Sequence, residues 1–400
     1  MNFDKSYIPY GIYWSSPFTK WQGSLAAFNA VELAADVAVR ALADRGISAE
    51  VFDALGLGLT IPQHHCFYGA PWVAGMIGAP GITGPTIAQA CATSARAIVW
   101  AAQEIEGGTH EKVLVVTADR CSNGPHIYYP NPAGAGGTGD TENWVLDNFG
   151  FDPYARNAMI QTAENVAKEE GVTREEQDAC AIRRYEQYMS SVADDRAFQK
   201  RYMVPVELKK GKKVVGSVAE DEGVFPTTLD GLAKLRPVLP EGTVTFGSQT
   251  HPADGNAALA VTTREAAREL SRDPGIEIRI VAFGQARAKK GFMAAAVTPA
   301  AEQALERSGW KVADLGAVKT HNPFAVNDVV MARKMGIDEK VFNNFGSSLV
   351  YGHPQGPTGM RIVIELIEEL VLKGGGRGLF AGCAAGDTAF AATFEIASAK

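Results

Sequence analysis

Two cysteines and two histidines stand where chain geometry could make them reactive. Cys91 lies in "QACATSARAI", small residues giving way to a helical pattern. A thiol at a helix N-terminus faces unpaired N–H groups and the positive end of the dipole, which lowers its pKa and favours the thiolate. Ala90, Ala92 and Ser94 leave room for a substrate. The competing reading is a buried structural cysteine, the usual role of a free thiol. His353, in "VYGHPQGPTG", opens another helix from a tight Gly/Pro loop and could act as general base or oxyanion donor. Cys383, in "GLFAGCAAGD", ends a buried strand and precedes small residues whose N–H groups could bind an oxyanion. His321 and Asn322 follow the short strand "GAVKT" and could orient a water or a carbonyl oxygen.

The elements that must position these side chains follow from hydrophobic spacing. Residues 27–45, "AFNAVELAADVAVRALADR", carry apolar residues at helical intervals and stop at Gly46. "VFDALGLGLT" at 51–60 reads as a strand. "ATSARAIVWAAQEIEGG" is a helix stopped by Gly107 and Gly108, and "KVLVVTAD" is a buried strand after it. The C-terminal end repeats this order, with "TGMRIVIELIEELVLKGGG" as helix and "RGLFAGC" as strand. Aligning Arg96 with Arg361 superposes the two stretches without a gap, so an α/β fold built by internal duplication is expected. Cys91 and His353 then occupy corresponding loop-to-helix junctions, which a pseudo-twofold fold can bring to one site.

The expected organisation is an N-terminal half over 1–119, completed by about 245–270, and a C-terminal half over 271–400. Between them, 120–245 changes texture. It begins with glycine- and proline-rich "YYPNPAGAGGTGD", continues through two or three charged helices, and ends in the basic strand region "MVPVELKKGKKVVGS". This reads as an insertion lying over the duplicated core.

Composition narrows the function. The chain has 400 residues, 21% of them charged, and a formal net charge of -7, which gives nucleic acid no basic surface. The start "MNFDKSYIPYGIYW" lacks a signal-peptide layout, and no apolar run nears the roughly 20 residues that span a bilayer. Five cysteines without C-x-x-C spacing argue for a reducing compartment, and a cytoplasmic protein is expected. His64-His65-Cys66 lacks a fourth ligand at a telling spacing, so no metal is assigned. Gly134, Gly136 and Gly139 satisfy G-x-G-x-x-G but follow "YYPNP" rather than a strand, so a flexible loop is the better reading than a dinucleotide site.

Taken together, the motifs resemble those of the thiolases almost end to end. "SSPFTKWQGSL" is similar to the family's R-T-P-F-G-K-x-x-G-x-L, and "QACATS" to its nucleophile motif N-x-x-C-x-S-G. "QTAENVAKEEGVTREEQD", "GHPQGPTG" and "GCAAGD" resemble T-A-E-N-V-A…I-S-R-E-E-Q-D, G-H-P-x-G-x-[ST]-G and C-x-G-G-G. The resemblance implies a thiolase fold: duplicated βαβαβαββ halves forming a five-layered αβαβα core, with an inserted loop domain covering the CoA site. It implies an acyl-CoA C-acyltransferase that needs no permanently bound cofactor and uses coenzyme A as co-substrate.

Roles carry over by matching position. Cys91 would be the nucleophile that takes the acyl group, His353 its activator, and Cys383 the acid/base on the second substrate. His321 falls where many thiolases have the Asn of N-E-A-F; "HNPF" is closer to the H-D-x-F of sterol-carrier-type thiolases. Backbone N–H groups of Cys91 and Ala385 would form an oxyanion hole. Thr250, Phe324 and Phe246 would contact substrate, Thr250 aligning with the serine that places the CoA pantetheine.

Departures from the family pattern bear on substrate. Gln89 replaces an Asn, Ala385 and Asp387 interrupt a glycine run, and "DRCSNGPHIYYPNP" replaces G-G-x-E-x-M-S. These suggest a bulky or unusual acyl group, with Phe67, Tyr68, Trp72, Tyr128 and Tyr129 as candidate pocket aromatics. As a whole the chain resembles thiolase subunits that form a homodimer core and work with a small zinc-ribbon/OB-fold partner. A Claisen-condensing thiolase, a ketosynthase and a non-catalytic acyl-CoA-binding subunit are the alternatives.

Overall fold

A computed structural model describes residues 2–398. The duplicated order seen in the sequence becomes two sheets of like topology. The first is six-stranded, running Tyr13–Ser15, Ala253–Thr262, Lys112–Arg120, Ala54–Gly58 and Thr86–Ile87, with Thr19–Lys20 paired to Ala253–Thr262. The second is four-stranded: Ile276–Arg287, Thr388–Ser398, Gly375–Ala384 and Leu315–His321. In each, a parallel pair is flanked by a long antiparallel strand; Leu55 pairs with Leu114 as Val318 pairs with Leu379. Both faces of these strands are buried, which is why "KVLVVT" and "LFAGCA" read as unbroken apolar runs.

The layer between the sheets consists of two helices, Thr93–Gly107 and Gly356–Leu372, packed on each other. Helices Ala30–Asp44 and Val297–Ser308 cover the outer faces, giving a five-layered αβαβα arrangement. The second central helix is buried on all sides through Leu370, so its charged residues need internal partners. Arg361 makes two hydrogen bonds to Asp221 at 2.6 and 2.8 Å and one to Glu365 at 3.0 Å. Asp221 comes from the segment between Arg120 and Ala253, so this buried ion pair pins that segment to the C-terminal half.

That segment holds two hairpins, His126–Tyr129 with Asp140–Asn143 and Val206–Lys210 with Lys213–Val218, and two long helices, Met159–Glu170 and Arg174–Arg196. The glycines Gly134, Gly136 and Gly139 form the tip of the first hairpin around a short 3₁₀ turn, with no strand-to-helix junction to cradle a phosphate. The expected strand at 51–60 is shorter, Ala54–Gly58, because Ala49–Val51 forms a 3₁₀ turn capped by Ser48. Among the described residues, no helix is long and apolar enough to cross a membrane, and Cys66, Cys91, Cys121 and Cys383 are free thiols.

Candidate active site

The nucleophile candidate sits on a sharp bend between strand Thr86–Ile87 and helix Thr93–Gly107. Ala90 takes a left-handed backbone (φ 44°), and the bend closes through Ala92 N–H to Gln89 O (3.0 Å) and Thr93 N–H to Ala90 O (3.1 Å). A non-glycine residue in that region costs on the order of 1–3 kcal/mol, which surrounding structure must supply. Gln89 supplies part of it, since its Oε1 accepts from Arg96 Nε at 2.8 Å.

Loops from the second half complete the site. His353 is stitched to the first half, its N–H donating to His251 O at 2.9 Å and its carbonyl accepting from Ala253 N–H at 3.3 Å. Its Nδ1 lies 2.6 Å from Thr358 Oγ1, and its Nε2 has no partner. His321 ends strand Leu315–His321, with Nδ1 2.9 Å from Ser348 Oγ and Nε2 likewise unpartnered. The two imidazoles lie 4.1 Å apart, and one ring nitrogen from each falls within 4.8 Å of the other and of Cys91 Sγ. This is the set of three among the described residues that could also hold a soft cation; His64, His65 and Cys66 do not form one. Backbone N–H groups of Cys91 and Ala385 face the Cys91 sulfur. Cys383 is fully buried beside the site, its Sγ accepting from Asn327 Nδ2 at 3.2 Å.

The electrostatics overturn one expectation. The helix start was to lower the Cys91 pKa; instead burial pushes the thiol up to about 11, outweighing those two N–H groups. The helix begins only at Thr93, so the thiol stands outside its first turn. Burial also raises Cys383, with the nearby Cys91 adding to it. Desolvation lowers His321 to about 3 and takes His353 well below 6.5. The resting site is therefore neutral: two thiols and two uncharged imidazoles.

A cavity of about 710 Å³ opens onto Cys91 and His353. Thr250 and Phe324 line it, as does Ala385. Thr250 Oγ1 donates to Ser348 O, so its hydroxyl is already engaged. Phe246 is corrected: it is 73% exposed and not part of the lining, because the Thr245–Ser248 turn aims it outward. The aromatics proposed from sequence are also misplaced. Phe67, Tyr68, Tyr128 and Tyr129 are exposed, and Trp72 packs on the core behind the first sheet. The aromatic wall comes instead from Trp144, Phe149 and Phe151, delivered by the short helix after the first hairpin.

Sequence reasoning also missed Asp119 and Gln355. Asp119, next to last in strand Lys112–Arg120, accepts from Thr60 N–H (2.9 Å), Thr60 Oγ1–H (2.7 Å), Ile61 N–H (2.9 Å) and Gly356 N–H (2.7 Å). The usable signal was its place in "DRCSNGP", where the family pattern has glycine. A Cβ on Gly356 would lie 2.7 Å from the Asp119 carboxylate, so this contact requires a glycine. Asp387, another departure, accepts from Gly291 N–H at 2.8 Å and holds the 288–291 loop rather than touching substrate.

A half-buried thiol within 4.8 Å of two neutral imidazole nitrogens, with two backbone N–H groups facing its sulfur, is suited to acyl transfer through a cysteine. The Thiolase, N-terminal domain family matches residues 14–265 and the Thiolase, C-terminal domain family residues 276–396; the chain belongs to the thiolase family. It is 32% identical to the β-ketothiolase BktB of Cupriavidus necator (93% of this chain, 95% of that protein) and 31% to a β-ketoadipyl-CoA thiolase of Pseudomonas knackmussii (92% and 94%). Its structure is similar to the Bacillus anthracis acetyl-CoA acetyltransferase, with TM-score 0.90, 28% identity and 99% of each chain covered. It is equally similar to human mitochondrial 3-ketoacyl-CoA thiolase in complex with CoA (TM-score 0.89, 26% identity, 99% of each chain). The protein is a thiolase enzyme.

Proposed function

We propose that this thiolase cleaves a 3-oxoacyl-CoA carrying a bulky, aromatic acyl group, with coenzyme A as co-substrate. The candidate substrate is benzoylsuccinyl-CoA, giving benzoyl-CoA and succinyl-CoA, because the chain as a whole resembles the thiolase subunit of that enzyme type. The observation that carries the aromatic preference is the wall of Trp144, Phe149, Phe151 and Phe324 beside Cys91. In this reading the chain forms a homodimer core and works with a small zinc-ribbon/OB-fold partner.

The neutral site sets the order of proton moves. His353 Nε2 takes the proton of Cys91 Sγ as the sulfur attacks the 3-oxo carbon. The oxyanion formed there is met by the N–H groups of Cys91 and Ala385; a donor of this kind is typically worth roughly 3 kcal/mol. The C2–C3 bond breaks toward C2, leaving a thioester enolate whose oxygen is held by His321, with the proton on Nε2 when Ser348 Oγ–H donates to Nδ1. Cys383 gives its proton to C2, and the shortened acyl-CoA leaves. The thiol of CoA then gives its proton to the Cys383 thiolate and attacks the acyl-cysteine. Cys91 departs and recovers its proton from His353.

The Cys–His–His cluster also suits a ketosynthase, which would not use Cys383. Thiolysis of acetoacetyl-CoA, 3-oxo-3-phenylpropionyl-CoA and benzoylsuccinyl-CoA, measured with wild type and Cys383→Ala, separates these readings. We expect tenfold or greater preference for the aromatic substrates in kcat/KM and abolished thiolysis in the variant. Preference for acetoacetyl-CoA would remove the aromatic assignment, and full activity of Cys383→Ala would remove the thiolase role of that cysteine.

A further inference from the structure

The position after the G-H-P of the His353 loop is one that the family motif leaves open, and here it is Gln355. Three observations single it out. Its backbone sits at φ 61°, ψ −103°, a conformation that non-glycine residues adopt only under constraint. Its side chain is nearly buried, yet it lines the cavity. Its Oε1 lies 3.3 Å from Cys91 Sγ.

The strain is held from both sides. The next residue, Gly356, gives its N–H to Asp119 and its carbonyl to Ser94 Oγ–H, so the two central helices and the end of Lys112–Arg120 clamp the peptide that follows Gln355. A buried polar side chain fixed this firmly, with its carbonyl oxygen against the nucleophile, calls for a chemical reason.

We propose that Gln355 is a further catalytic residue of this thiolase, its amide oxygen receiving the Cys91 proton's hydrogen bond before transfer and that of His353 afterwards. In the resting site, Cys91 S–H donates to Gln355 Oε1, which orients a thiol that burial keeps protonated. When the S–H bond breaks and the proton forms an N–H bond on His353 Nε2, a thiolate and an imidazolium appear in a cavity that disfavours both charges. Gln355 Oε1 is then the acceptor that the new N–H meets. His353 Nε2 has no hydrogen-bond partner in the resting site, and Gln355 is the neighbouring side chain whose hydrogen bonding would raise its pKa against burial and His321. His321 lies against the same imidazole and lowers its pKa further, so it does not stabilise the imidazolium.

The inference rests on Cys91 being the nucleophile but not on the acyl group, so its test uses no substrate. Iodoacetamide alkylation of Cys91 at pH 7 is followed by peptide mass spectrometry, which separates it from half-exposed Cys66 and Cys180. Two variants of similar length divide the roles. Gln355→Met removes the acceptor, and Gln355→Glu keeps an acceptor oxygen. We expect the Met variant to alkylate at least tenfold more slowly with its melting temperature unchanged, and the Glu variant to recover to within threefold of wild type. Wild-type alkylation in the Met variant overturns the proposal. So does a Met variant that loses its fold, which would assign Gln355 to structure. Slow turnover of every acyl-CoA alongside normal alkylation ordering would instead count against the proposed substrate alone.

Discussion

At the scale of single residues, the thiolase site works by withholding charge. Cys91, His321 and His353 sit in surroundings that disfavour their ionised forms, so in the proposed mechanism the thiol and the His353 imidazole change protonation together. With the Cys91 thiol near 11, the thiolate fraction at pH 7 is about 1 in 10⁴. Burial raises this pKa, so reactivity must grow as pH climbs toward it. We expect Cys91 alkylation to rise about tenfold per pH unit between pH 8 and 10 and to level off near pH 11. A plateau already reached by pH 8 would mean a thiol activated at rest. The helix-start argument pointed the Cys91 pKa down, and burial moves it up. Helix-start arguments are local, whereas burial depends on a loop more than 250 residues away.

At the scale of elements, what matters is how three chain ends are made to meet. The repeat at Arg96 and Arg361 was legible because each half must bury a helix between sheets, and apolar periodicity records that requirement. Asp119 was not legible as a clamp. It reads as one polar residue after a strand, and its four donors come from positions 60, 61 and 356. In the Asp119→Asn variant one carboxylate oxygen becomes an NH₂ group facing N–H or O–H donors. This should cost roughly 1–3 kcal/mol of stability. Because the clamp fixes the turn carrying Gln355 toward Cys91, kcat should fall more than KM rises. Calorimetric melting with steady-state kinetics checks this; an unchanged melting temperature and kcat would leave Asp119 without a positioning role.

At the scale of the whole molecule, the segment between strands Lys112–Arg120 and Ala253–Thr262, residues 121–252, builds one wall of the cavity beside Cys91. It is tied down by Asp221 against Arg361, whose fully buried guanidinium also lies 3.8 Å from the centre of the Tyr351 ring. Breaking such a pair by removing one partner typically costs about 3–5 kcal/mol, so the tie is strong in one direction. The same segment supplies Trp144, Phe149 and Phe151 to the cavity. Sequence identified a region with unusual loops, but of its aromatics it named Tyr128 and Tyr129 as pocket candidates and not Trp144, Phe149 or Phe151. Tyr128 and Tyr129 point from a hairpin that projects outward, and the chain returns to the cavity only at Trp144. Periodicity cannot show where a short irregular segment turns back.

We propose that Cys91 accepts an acyl group, in a cavity that favours an aromatic one. Intact-protein mass spectrometry after mixing with benzoyl-CoA or acetyl-CoA tests it most directly, with Cys91→Ala as control. We predict a single acyl adduct on the wild type, loaded more fully by benzoyl-CoA, and none on the variant. An adduct that persists in Cys91→Ala, or no adduct from either thioester even with the proposed partner subunit added, would contradict this assignment of Cys91.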